Sequence, residues 1–213
     1  MIAHMSSEPG NPQKEGFALV LQTNEVTKLI DANAQEIRLN ALNSLILASK
    51  SGNQAAGFAA VTQEFIRFSG QLTEHSEKLS GHLREMVRTL SERIKTETRG
   101  NLFIRAYDHV QEHSSLLEEV TRTREQAQMQ WYERTREQVE QLRKMLTETR
   151  GLLKRGNKLA VQAKVQAATS GEHRDDFARL SEQARESLQS VISQADELEA
   201  LVAARRQQNE GEV

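Results

Sequence analysis

The chain contains no cysteine. That absence excludes a disulfide scaffold, a thiol nucleophile and a thiolate metal site together, and it fits a reducing, cytoplasmic setting. Proline is almost as scarce. Pro9 and Pro12 are the only two, so nothing beyond residue 12 must break a helix for want of a backbone N–H. Aromatic residues make up only 4%, leaving few of the ring side chains that enrich strands. Neither sign of charge dominates: 28 Lys and Arg stand against 30 Asp and Glu, a net charge of −2. A nucleic-acid binder would carry a basic excess. No apolar run approaches the ~18 residues a membrane span needs, and no signal peptide is visible. Phosphate loops, nucleophile elbows and paired catalytic acids are also missing, so neither an enzyme activity nor a cofactor is expected.

What remains is a chain of 213 residues rich in Glu, Gln, Arg, Leu, Ala and Ser, a composition that favours helix throughout. Met1-Ile2-Ala3-His4 reads as a short leader or an artificially appended scar before Met5, and residues 1–13, with Ser, Gly, Asn and both prolines, read as disordered. A first helix runs unbroken from Lys14 to Lys50, with Phe17, Leu21, Ile30, Ala34, Ile37, Ala41, Leu45 and Ala48 on one face. Ser51-Gly52-Asn53 is a turn. Phe58, Val61, Phe65, Phe68, Leu72, His75 and Leu79 then step by threes and fours, a heptad seam that continues through Leu83, Met86, Leu90 and Ile94.

Gly100 could break this second helix, or the helix could run on through Phe103, Ile104, Tyr107 and Val110. His113-Ser114-Ser115 is the stronger stop, because Ser115 and Glu118 form a capping box. A third helix follows Leu117, Val120, Ala127, Trp131, Leu142, Leu146, Leu153 and Leu159 to about Ser170. After Ser170-Gly171-Glu172, a fourth carries Phe177, Leu180, Ala184, Val191, Ala195, Leu198 and Val202, with a polar tail that frays after Arg205.

The two Ser-Gly turns reveal a repeat. Shifting the sequence from Gly52 to Gly171 lays Ala41–Glu64 over Ala160–Gln183. Ala41, Ala48, Ser51, Gly52, Phe58 and Ala59 then meet identical residues. The shared position of the turn and of the following Phe marks an internal duplication of one helical hairpin. The expected fold is therefore all-α, a long antiparallel four-helix bundle or coiled coil made of two tandem hairpins. Residues 14–112 and 113–205 form the hairpins, and 206–213 the frayed tail. Both Ser-Gly tips should lie at one end, with Phe58 and Phe177 in equivalent places below them. Four helices in one chain can satisfy their own apolar stripes, so a monomer is expected.

The stretch from Asn40 to Glu64 resembles the signalling tip of bacterial methyl-accepting chemotaxis proteins. Ala41, Leu42, Asn43, Ala48, Gly52, Gly57, Phe58, Ala59, Val61 and Glu64 match that family's motif in register. The family tip is a helical hairpin that dimerises into a four-helix bundle and engages a histidine kinase and a coupling adaptor. The resemblance implies a non-enzymatic signalling module that mimics such a dimer in one polypeptide. Its partner-binding residues would be Leu39, Leu42, Asn43, Lys50 and Ala60. Leu47, Asn53 and Ala56 depart from the family pattern, and Lys50 stands for an Arg. The trimer-forming Phe maps onto Gln35. In the second hairpin the apolar contact positions become Lys158 and Arg179, so only the first tip should dock a partner. No adaptation-site context accompanies Glu118-Glu119. The competing class is a structural or scaffold helical bundle with an unrelated protein or surface partner.

Other motifs read more simply as structure. His109-Val-Gln-Glu-His113 matches an H-x-x-E-H pattern, but a metal site needs a further ligand and no second motif supplies one. A solvated helix end accommodates cationic His equally well. His75 and His82, seven apart near the seam, suit register-setting polar positions or a pH-sensitive pair. Trp131-Tyr132 with Phe103 and Tyr107 reads as packing, with position 93 opposite 131 if the inner helices pair about residue 112. Thr96–Gly100 recurs as Thr147–Gly151 out of step with the duplication. Gly70 and Gly156, at similar depths below the tips, suggest close helix approach or a bend.

Overall fold

The computed structural model describes residues 12–107 and 114–210. Four helices account for nearly all of them: α1 (Pro12–Lys50), α2 (Ala56–Tyr107), α3 (Ser114–Ala167) and α4 (Arg174–Glu210). Short 3-10 turns, Gly52–Ala55 and Gly171–His173, follow α1 and α3. α1 begins at Pro12 rather than at Lys14. Proline suits the first helical position, where its missing N–H would have no partner anyway. α2 passes through Gly100 without a break, so no fold-back occurs there. α4 extends to Glu210, beyond the fraying point expected after Arg205. Residues 108–113, where the turn is expected and where His109 and His113 fall, lie outside the described residues.

Contacts divide the chain into two compact units. One comprises Gln22–Gly81 with the chain from Arg143 onward. The other joins the residues up to Leu21 to His82–Leu142. Each unit thus combines parts of both hairpins.

The first unit is an antiparallel four-helix bundle. Its core repeats with the duplication. Thr27, Ile30, Asn33, Ala34, Ile37, Ala41, Ser44 and Ala48 are buried on α1. Their counterparts Leu146, Thr149, Leu152, Leu153, Gly156, Ala160, Ala163 and Ala167 are buried on α3. Phe58, Thr62, Phe65, Ser69, Leu72, Ser76 and Leu79 of α2 match buried Phe177, Ser181, Ala184, Leu188, Val191, Ala195 and Leu198 of α4. Phe58 and Phe177 stack with centroids 3.9 Å apart, which brings both tips to the same end of this unit. Gly52 and Gly171 carry φ of 63° and 64°, a left-handed conformation that favours glycine.

Volume is exchanged between the copies. Ile37 corresponds to Gly156, Phe65 to Ala184, and Phe68 to half-buried Ser187. The Phe68 ring lies over Gly156, where a Cβ would come within 2.4 Å of its Cζ. A large side chain on one copy therefore faces a small one on the other, as close packing demands.

Several core positions are hydroxyls or amides. Thr27, Ser44, Thr62, Thr149 and Ser181 each donate to the carbonyl four residues earlier, at 2.7–2.9 Å, and Asn33 does so through Nδ2 at 2.8 Å. Ser76 donates across to the Thr27 carbonyl, 3.1 Å away. Satisfied by helix carbonyls, these groups can be buried without a large desolvation cost.

The second unit is built on fewer buried side chains. Leu19, Val20, Leu83, Met86, Thr89, Leu90 and Leu142 are buried. Leu21, expected on the core face, is 64% exposed. Counting back from Ile30 in heptad steps points residues 27, 23, 20 and 16 inward, and Leu21 falls off that line. Gly16 accordingly lies against Leu90, with a would-be Cβ 3.1 Å from its Cδ2. Between residues 91 and 105 and between 118 and 141, no described side chain is buried.

Candidate functional site

The first tip begins where α1 runs out of helix. Ser51 donates both its N–H and its hydroxyl back to the Leu47 carbonyl, at 3.2 and 2.9 Å. Gly52 then reverses the chain. Ser170 caps α3 in the same way, its hydroxyl donating to the Gln166 carbonyl at 2.8 Å. Phe58 and Phe177 stack below both turns, and the residues just before each turn are still on helix.

All five residues implied by the receptor resemblance are exposed. Leu39 is 63% exposed and Leu42 40%, with Asn43, Lys50 and Ala60 also facing outward. Ile46, absent from the expected set, is 57% exposed. It completes an i, i+3, i+7 line with Leu39 and Leu42, a second apolar stripe on α1 opposite its core face. Alternation of two apolar faces along one helix was the available signal. Gln35, the trimer position, is exposed and donates to Asp31 at 2.9 Å.

The second tip presents its two cations together with two apolar residues. Lys158 and Arg179 are exposed, as their charge requires, but Val161 and Val165 beside them are 53% and 62% exposed. They are the counterparts of Leu42 and Ile46. The copy therefore keeps two of the stripe's three apolar positions and replaces the third, and Ala60 on the facing helix, with cations. Arg179 is engaged by Asp176 on its own helix, 3.3 Å away.

Below the tip a void of about 20 Å3 lies among Ile37, Ser44, Phe65, Ala163 and Ala184. It has room for roughly one water. No group of three or more metal-ligating side chains converges among the described residues. No described helix is long and apolar enough to cross a membrane.

The seam histidines clamp α2 to α3. His75 Nε2 lies 3.1 Å from the Met145 carbonyl, and His82 Nε2 lies 2.8 Å from the Gln138 carbonyl. A carbonyl only accepts, so Nε2 carries the proton in both rings. In the second unit, Arg93 stacks on Trp131 at 3.8 Å from the ring centroid and pairs with Glu97 at 2.5 Å. The indole N–H donates to the Thr89 carbonyl at 3.2 Å. Positions 93 and 131 thus meet as the pairing arithmetic required, in a packing role.

No family model matches the chain, and no curated protein matches it either.

Proposed function

We propose that this chain is a non-enzymatic, cytoplasmic signalling module resembling the tip of a chemoreceptor. It contacts a chemotaxis-type histidine kinase or coupling adaptor through the first hairpin and acts as a monomer that stands in for a receptor dimer. The observation that carries this reading is the exposed line of Leu39, Leu42 and Ile46 beside the Gly52 turn, which runs into the stretch that matches the receptor motif. An apolar line of this kind on a helix suits a helix or edge from a partner. Asn43 and Lys50 flank it with a hydrogen-bonding group and a cation, and Ala60 on α2 leaves room for close approach.

The test is a pulldown of purified adaptor and kinase by the full chain, with kinase autophosphorylation measured in parallel. Leu39→Lys with Ala60→Arg copies the second tip onto the first and leaves the core untouched. Loss of binding at unchanged helicity supports the reading. Retained binding, or no binding by the parent chain, sinks it and leaves a scaffold role as the better account.

A further inference from the structure

The outward face of α3 is charged in a way its copy on α1 is not. Lys144, Lys154, Arg155 and Lys158 are all exposed, and none makes an ion pair among the described residues. The corresponding residues of α1 are Glu25, Gln35, Glu36 and Leu39. Other cations of α3 are used within the hairpin. Arg150 pairs with Asp196 at 2.7 Å and Glu199 at 3.5 Å, and Lys164 pairs with Glu182 at 3.2 Å. Acids on α4 thus neutralise one side of α3 and leave the outer cations without an ion pair, Glu148 being the one acid that shares their line.

These residues form a seam. Lys144, Gly151, Lys158 and Val165 are seven apart, and Lys154 and Val161 fall between them at heptad spacing. The line runs about 32 Å at 1.5 Å per residue. Gly151 sits in it, exposed, with nothing within 4 Å of where a Cβ would stand. Packing inside the chain therefore does not explain a glycine that costs a helix interior about 1 kcal/mol relative to Ala. On an outer seam, it lets a second backbone approach closely.

We infer that this face of α3 docks an acidic amphipathic helix from another protein. Carboxylates of that helix would pair with Lys144, Lys154, Arg155 and Lys158, while its apolar residues cover Val161 and Val165 near the tip. Heptad spacing selects a helix, and these cations select its charge. Width argues against a duplex or a lipid surface. A helix about 10 Å across covers the cationic line alone. A broader array of phosphates would also meet Asp196 and Glu199, which hold Arg150 beside the line. This site is distinct from the first tip and goes beyond the adaptor reading.

The probe is a fluorescent synthetic helix of about four heptads, with Leu and Ala on one face flanked by Glu, titrated with the full chain and followed by anisotropy. A Lys-flanked version, phosphatidylserine vesicles and a short DNA duplex serve as comparators. The Glu-flanked helix should bind, weaken with added salt, and lose about tenfold in affinity to the variant Lys154→Gln, Arg155→Glu, Lys158→Leu, the loss expected from removing three screened pairs. That variant carries the α1 residues on an exposed face, and circular dichroism should show its helicity intact. Leu39→Lys with Ala60→Arg should leave this binding unchanged, which separates it from the adaptor site. Equal binding of the Lys-flanked helix, equal binding by the triple variant, or tighter binding to vesicles or duplex would each overturn the proposal.

Discussion

Gly156 and Gly151 lie on the same helix yet should respond oppositely to the same substitution. Glycine in a helix interior is about 1 kcal/mol worse than alanine, so Gly151→Ala, with open space around it, should gain about that much. At Gly156 the new methyl would stand 2.4, 2.8 and 2.9 Å from Cζ, Cε1 and Cε2 of Phe68. Phe68 is only 4% exposed, so its ring cannot move aside without displacing neighbours. Overpacking of this kind typically costs about 1–3 kcal/mol. After the helix-propensity gain, Gly156→Ala should be destabilised by about 1 kcal/mol, lowering Tm by roughly 2–4 °C in a chain of this size, while Gly151→Ala rises by a similar amount. Phe68→Leu removes the ring tip, so in that background Gly156→Ala should become stabilising. Urea and thermal denaturation followed by circular dichroism give all four values. If Gly156→Ala stabilises as much as Gly151→Ala, or if the Phe68→Leu background leaves its effect unchanged, the knob-into-hole account of the duplicated core is wrong.

Three further outcomes can be checked. The Arg185 guanidinium, and after it the Lys164 ammonium, hydrogen-bond the Glu182 carboxylate and hold its pKa at about 2. Its stabilisation is therefore complete above the ordinary carboxylate range and fades as pH falls toward 2; carboxyl NMR should show that depressed midpoint and a return upward in Lys164→Ala with Arg185→Ala. Arg150→Ala should cost about 1 kcal/mol or less, with the loss shrinking in salt, because the ion pairs to Asp196 and Glu199 are half-exposed; chemical denaturation at two ionic strengths measures it. Amide exchange should be fastest in residues 94–105 and 118–130 and slowest around Leu72, Leu79, Leu153 and Val191, since the first set has no buried side chain and the second is fully enclosed. Uniform protection along α2 and α3 would contradict that reading.

The helical class, both Ser-Gly turns and the duplication were legible in the sequence because each has a local cause. A chain with no proline beyond residue 12 and rich in helix formers has no competing structure, and a left-handed reversal favours glycine at Gly52 and Gly171. The seam of α2 was legible for the same reason, since Phe58, Phe65, Phe68, Leu72 and Leu79 are apolar at a fixed period. The rest of the core was not. Thr27, Asn33, Ser44, Ser69 and Thr149 read as surface residues until their side-chain bonds to helix carbonyls are seen, and Leu21 reads as core until the phase set by Ile30 and Ile37 carries it outward. The exposed stripe was similarly half visible: the receptor resemblance supplied Leu39 and Leu42, while Ile46, Val161 and Val165 emerged only from the fold.

What the sequence determined was local: helix from composition, reversal from glycine, period from the spacing of apolar residues. Tertiary structure decided which face of each helix turns inward and which large residue meets which small one. Nothing in the neighbourhood of Gly156 announces that it receives Phe68, and nothing around Lys158 announces that α4 leaves it unpaired. Those facts belong to side chains distant in sequence, and only the packing of one hairpin against its copy brings them together.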